Sequence, residues 1–151
     1  CYEEDYYFSS SKNQFHVTKI GKYKIGLMIC WDQWYSESYN KLLKKNVDLI
    51  LCPTSIGFAY NCDKKISLPE EKHKWLKTIT SNSFMINTPI VVTNRIGVEY
   101  DESRKIRFWG NSFITNANGD IKYKADNKKV LHKHTIDLSL NKKYRKLWAF
   151  R

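Results

Sequence analysis

The sequence predicts an α/β fold on three observations. Short strands of buried type alternate with amphipathic helices, one strand-helix-strand unit implies a right-handed parallel crossover, and no internal repeat or low-complexity linker divides the chain. At 151 residues the chain suits a single domain, able to bury about 70% of the surface its unfolded form exposes. A hydrophobic fraction of 42% and an aromatic fraction of 15% belong to a globular chain, not a disordered one.

β-Branched and apolar residues run from Phe15 to Ile20 and from Tyr23 to Ile29 on either side of Gly21-Lys22, which reads as a hairpin of two strands. The end of the second strand is nearly all apolar, as expected of a strand covered on both faces. Ser36 can cap a helix reaching about Asn46, with Tyr39, Leu42 and Leu43 inward and Lys41, Lys44 and Lys45 outward. Val47 to Cys52 follows as a buried strand ending at Pro53. Ser67-Leu68-Pro69-Glu70 has the form of a capping box with proline in the first turn. Trp75, Ile79, Asn82 or Ser83, and Ile86 then recur at helical spacing, so a helix is expected from Pro69 to Ile86. Further strands are expected over Pro89 to Thr93, Ile106 to Thr115, Ile121 to Ala125 after an Asn118-Gly119 turn, and Val130 to Asp137.

The net charge of +11, from 26 Lys+Arg against 15 Asp+Glu, would favour phosphate or an anionic membrane if the cations converged on one face. They are spread instead over Lys41, Lys44 and Lys45, Lys64 and Lys65, Lys72, Lys74 and Lys77, and Lys142 to Lys146, as on a solvated surface. No nucleic-acid or membrane partner is therefore expected. Cys1, Cys30, Cys52 and Cys62 form neither a Cys-x-x-Cys pair nor a dense disulfide framework. No segment approaches the about 18 apolar residues of a membrane span, and the acidic start Cys1-Tyr2-Glu3-Glu4-Asp5 is not patterned as a signal peptide. A cytoplasmic setting is expected.

Cys30 stands where an apolar strand breaks into a loop leading to a helix, the carboxyl end of an α/β sheet where ligands bind. Backbone N–H groups just after it could stabilise a thiolate and later an oxyanion. On position alone an inert buried cysteine is an equal reading. A papain-like partnership would need a nearby histidine, and His16, His73, His132 and His134 lack such spacing. His132 and His134 share one strand face, yet with Cys52 and Cys62 no set has zinc spacing, so no metal and no cofactor is expected.

The neighbours of Cys30 decide between these readings. Gly26-Leu27-Met28-Ile29-Cys30-Trp31-Asp32-Gln33-Trp34, followed by Glu37, resembles the nucleophile segment of the nitrilase (carbon-nitrogen hydrolase) superfamily, within it the N-carbamoylputrescine amidase branch. In the family's order, Pro53-Thr54-Ser55-Ile56-Gly57 resembles the loop after the next strand and Thr93-Asn94-Arg95-Ile96-Gly97 the Asn-Arg-Ile-Gly turn. Phe108-Trp109-Gly110-Asn111-Ser112-Phe113-Ile114 with Gly119 resembles the late hairpin. Several motifs at consistent spacing make the resemblance specific where Cys-Trp alone would be weak.

The resemblance implies a four-layer αββα sandwich of the nitrilase type, incomplete at both ends, with residues 1–151 as the central and C-terminal part of the hydrolase domain. It also implies a Glu-Lys-Cys triad of general base, oxyanion-stabilising lysine and covalent nucleophile, of which Cys30 matches the nucleophile. Glu4 in Tyr2-Glu3-Glu4-Asp5-Tyr6-Tyr7-Phe8 matches a second, site-orienting glutamate. Trp31 would lend its N–H to the oxyanion, and Asp32, Gln33, Thr54, Ile56, Asn94 and Arg95 fall in segments expected to line the oxyanion and substrate site.

The base and the lysine belong in the family to segments preceding that of Glu4, and no lysine here matches the motif, so none is assigned. The chain alone is expected to be inactive. Carbamoylases acting on amino acids carry arginines after the aspartate to pair with a substrate carboxylate, which Gln33 and Trp34 cannot do. An N-carbamoyl amine or amide of the N-carbamoylputrescine kind is therefore the expected substrate. Asn82 stands where the branch often has His. Leu147-Trp148-Ala149-Phe150-Arg151 resembles a Trp-Gly-x-Phe-Arg stretch leading into a tail used for subunit packing, so a homo-oligomer is expected. The alternatives are an inactive remnant serving as a partner subunit and a basic RNA-binding module with stacked aromatics.

Overall fold

The computed structural model describes residues 6, 8–9, 15–60, 68–101 and 104–148. Strand β1 (Val17–Ile20) turns at Gly21 into β2 (Tyr23–Leu27), its antiparallel partner in the register Val17↔Gly26. A 3-10 turn over Cys30–Trp34 and helix α1 (Ser36–Lys44) then carry the chain to β3 (Leu49–Thr54). β3 pairs with β2 in parallel, Gly26 opposite Ile50, so the expected crossover is present. A short β4 (Gly57–Tyr60) precedes α2 (Leu68–Ile86), and β5 (Ile90–Asn94) adds in parallel to β3 with Leu51 opposite Val91. The remaining elements are β6 (Val98–Asp101), β7 (Arg104–Phe108), β8 (Phe113–Thr115), β9 (Ile121–Lys124) and α3 (Ser139–Trp148).

The described strands form a six-stranded sheet in the order β1-β2-β3-β5-β8-β9 and a three-stranded sheet in the order β4-β7-β6. Ile50 and Cys52 of β3, Ile90 and Val92 of β5 and Phe113 of β8 are sealed in one core with Tyr39 and Leu42 of α1 and Trp75 and Ile79 of α2. At the apolar end of β2, read as covered on both faces, Met28 is sealed but Leu27 is half-buried and Ile29 exposed, and Leu49, Leu51, Val91 and Ile114 of the neighbouring strands are likewise only half-buried. α1 lies close on β2, where a Cβ added at Gly26 would meet Leu42 Cδ2 at 2.8 Å.

Three expectations are corrected. The strand read from Ile106 to Thr115 is two strands in different sheets, because the consecutive left-handed residues Gly110 (φ +58°) and Asn111 (φ +54°) turn the chain between β7 and β8. Val130 to Asp137 has strand-like alternation but makes no strand: it pairs with none of the described strands, Leu131 is fully exposed, and His132 stacks flat on Tyr123 with ring centroids 3.5 Å apart. Helix α3 is not among the expected elements, although Leu140, Tyr144, Leu147 and Trp148 recur at helical spacing, and it combines an edge-on contact of Trp148 with Phe84, ring centroids 5.9 Å apart, with polar anchors. Asn141 Nδ2 donates to Asp48 O at 2.6 Å, and the Arg145 guanidinium donates to Val47 O at 2.6 Å and Thr88 Oγ1 at 2.7 Å.

Candidate active site

Cys30 follows the carboxyl end of β2 and lies against the carboxyl end of its parallel neighbour β3. Met28 N still donates to Leu51 O at 3.0 Å, extending the β2–β3 pairing by one residue, and the chain then leaves the sheet. Cys30 has φ +45°, a conformation costly for any residue with a Cβ and concentrated at functional sites. Asp32 fixes the turn that holds it there. Its N–H donates to Ile29 O at 3.0 Å, and its carboxylate accepts from Ile29 N–H at 2.8 Å.

Thr54, at the end of β3, places its Oγ1 3.5 Å from Cys30 Sγ. The same hydroxyl oxygen lies 3.0 Å from Gln33 Nε2, and Gln33 Oε1 accepts the Trp75 indole N–H at 2.8 Å. Gln33 is wholly buried, with Tyr39 Oη donating to its carbonyl at 2.7 Å and Cys52 Sγ 3.9 Å from Oε1. Burial pushes the Cys52 thiol up to about 12, reinforced by Cys30 and Asp32, and burial likewise raises Tyr39. Cys52 is thus a neutral thiol at physiological pH. Cys30, half-buried, is the more accessible of the two described cysteines, both of which are free thiols.

The predicted site residues separate into distinct positions. Cys30 and Thr54 meet. Trp31 is 40% exposed beside them and packs edge-on to Trp34, ring centroids 6.4 Å apart. Gln33 faces inward, its side chain bonded to Trp75 of α2 and to Thr54. Trp34 likewise packs against the core. Asn94 spends its amide on backbone, Nδ2 donating to Ile56 O at 3.1 Å and Gly110 O at 2.9 Å while Oδ1 accepts from Ile56 N–H at 2.8 Å. Ile56 and Asn94 therefore hold the loop after β3 in place. Arg95 forms a bidentate pair with Glu99 and lies over the Phe108 ring at 4.6 Å. Asn82 donates to Thr78 O at 2.8 Å within α2. Glu4 lies outside the described residues.

Trp75 was read from its spacing as a core residue, which it is. Its second task, orienting Gln33, leaves a signal only in retrospect: a tryptophan on an inner helix face and a glutamine beside a candidate nucleophile each need a polar partner once buried.

Residues 2–146 match the family described as carbon-nitrogen hydrolase, to which the chain belongs. Among its relatives is the N-carbamoylputrescine amidase of Arabidopsis thaliana, 31% identical over 153 aligned residues that cover 98% of this chain and 50% of that protein. The citrullinase of Francisella tularensis is 32% identical, covering 83% of this chain and 42% of that protein. The crystal structure of a carbon-nitrogen hydrolase from Helicobacter pylori G27 superposes with a TM-score of 0.88 at 30% identity, over 97% of this chain and 51% of that one. The chain spans about half the length of these relatives. None of the helices among the described residues is long and apolar enough to cross a membrane.

Proposed function

We propose that the whole protein hydrolyses a non-peptide C–N bond of an N-carbamoyl amine or amide, with Cys30 as nucleophile. The observation that carries this reading is Cys30 itself, held at φ +45° where β2 breaks, with its sulfur at the carboxyl ends of the parallel strands. A thiolate there attacks the carbamoyl carbon and forms a C–S bond. The C–N bond then breaks as the leaving nitrogen takes a proton, and water cleaves the thioester-like adduct, releasing the carbonyl portion and restoring the thiol. Trp31 N–H, the first amide after the nucleophile, is assigned to the oxyanion. The general base and the oxyanion lysine of the family have no assigned residue in this chain.

The relatives' activities support the substrate class. N-carbamoylputrescine and citrulline both present a terminal ureido group, and N-carbamoylputrescine is the first choice because the Arabidopsis enzyme named for it aligns over 98% of this chain. We infer that residues 1–151 form the central and C-terminal part of the hydrolase domain. We also assign it a reducing cytoplasmic setting and a homo-oligomeric state.

The test is ammonia release from N-carbamoylputrescine and from citrulline by the intact protein and by its Cys30→Ala variant. Activity in the first and its loss in the second is expected. Full turnover by Cys30→Ala ends the proposal.

A further inference from the structure

Behind Cys30, three side chains from separate elements are linked in a line whose hydrogen-bond direction can be deduced from valence alone. The Trp75 indole N–H can only donate, so the Gln33 atom 2.8 Å from it is the carbonyl oxygen. The Gln33 NH2 must then face Thr54 Oγ1, at 3.0 Å. An amide NH2 can only donate, so Thr54 Oγ1 accepts there and its single proton is left to point along the 3.5 Å contact to Cys30 Sγ. Burial of Trp75 and Gln33, 1% and 0% exposed, removes water as an alternative partner for their own polar groups, while Thr54 and Cys30 are half-buried. Tyr39 Oη, donating to the Gln33 carbonyl at 2.7 Å, holds the backbone of the same residue.

We propose that Thr54 is an activating hydroxyl that donates a hydrogen bond to the Cys30 thiolate, and that Gln33 and Trp75 are positioning residues that fix the direction of that donation. The inference rests on the reading of Cys30 as nucleophile, and it reassigns Thr54 and Gln33 from substrate contact to control of the sulfur. A donor aimed at sulfur favours its charged form, which is the form that attacks. A merely structural Gln33 would fill the same space without setting the sulfur's ionisation. The titratable groups packed around the line are Asp32 of the same turn, with its carboxylate on Ile29 N–H, Cys52 of β3 and Tyr39 of α1; α2 contributes the uncharged Trp75.

The experiment measures the rate of Cys30 alkylation by iodoacetamide against pH, located by mass spectrometry of the Cys30 peptide so that other cysteines do not contribute. Thiolate displaces iodide, so the rate follows ionised sulfur directly and needs no turnover. Thr54→Val, which removes the hydroxyl at nearly constant shape, should raise the midpoint by about one pH unit and lower the rate at pH 7 by about tenfold. Thr54→Ser should restore the wild-type midpoint. Gln33→Glu, whose carboxylate accepts where the amide donated, should turn the Thr54 proton away from sulfur and raise the midpoint although Thr54 is intact. Near-ultraviolet circular dichroism checks that each variant is folded, and Thr54→Ser supplies the comparison if Thr54→Val is not. A wild-type midpoint in Thr54→Val, or a midpoint in Thr54→Ser displaced from the wild type as far as that of Gln33→Glu, overturns the proposal. If Cys30→Ala retained hydrolysis while these midpoints moved as stated, the nucleophile reading would fail and the hydrogen-bond line would stand.

Discussion

Asn94→Ala would unfasten the loop that carries Thr54 to Cys30. The native amide makes three bonds, two to Ile56 and one to Gly110. Ile56 O keeps a second donor, Trp109 N–H at 3.0 Å, so truncation leaves Ile56 N–H and Gly110 O without these partners. Each such group costs about 1–3 kcal/mol when buried, and Ile56 and Gly110 are both buried, giving an expected loss of about 2–6 kcal/mol for the pair. Urea unfolding with an unchanged m-value would measure it. Asn94→Asp sharpens the test, because the carboxylate still accepts from Ile56 N–H but faces two carbonyls with its other oxygen. At pH 7 it should be less stable than Asn94→Ala. Protonation relieves the repulsion, so the native state binds the proton more tightly than the unfolded chain does, and stability should recover as pH falls towards 4. A loss under about 0.5 kcal/mol for Asn94→Ala, or a more stable Asn94→Asp, would refute the clamp.

The raised Cys52 thiol predicts an alkaline weakness. The unfolded thiol ionises near 9.0 and the folded one near 12, so above pH 9 the unfolded chain binds fewer protons than the native one and stability falls, by about 1.4 kcal/mol per pH unit at most. Cys52→Val should flatten the decline between pH 9 and 10, before Tyr39 adds its own, as read by thermal unfolding across pH; an unaltered slope would count against the burial argument. Arg145→Ala removes the donors to Val47 O and Thr88 Oγ1, so amide exchange in α3 should accelerate as expected for a local loss of about 1–3 kcal/mol. Unchanged exchange in Ser139–Trp148 would show that α3 is held by other contacts.

Local chemistry made much of this protein legible. β2, α1, β3, α2 and β5 follow from runs of apolar residues whose periods differ between strand and helix, and their alternation requires the parallel crossover. The same runs located Cys30 at a strand end, and the motif around it indicated the family that residues 2–146 match. The sequence carried less where an element depends on distant partners. Helix α3 docks in part through Asn141 and Arg145, whose polar partners on Asp48, Val47 and Thr88 no spacing along the chain reveals. Val130 to Asp137 shows the converse, a strand pattern that pairs with none of the described strands.

At the site, sequence alone singled out Cys30 and the loops near it. Only the tertiary structure decided what those loops do. Gln33 and Asn94 looked alike as polar residues in motif segments, but one is buried against Trp75 behind the sulfur and the other is consumed by the backbone of Ile56 and Gly110. The reason is physical. An amide commits its donors and acceptor to whichever groups packing brings within about 3 Å, and those groups, 42 residues away for Gln33 and up to 38 for Asn94, are fixed by the fold and not by spacing along the chain.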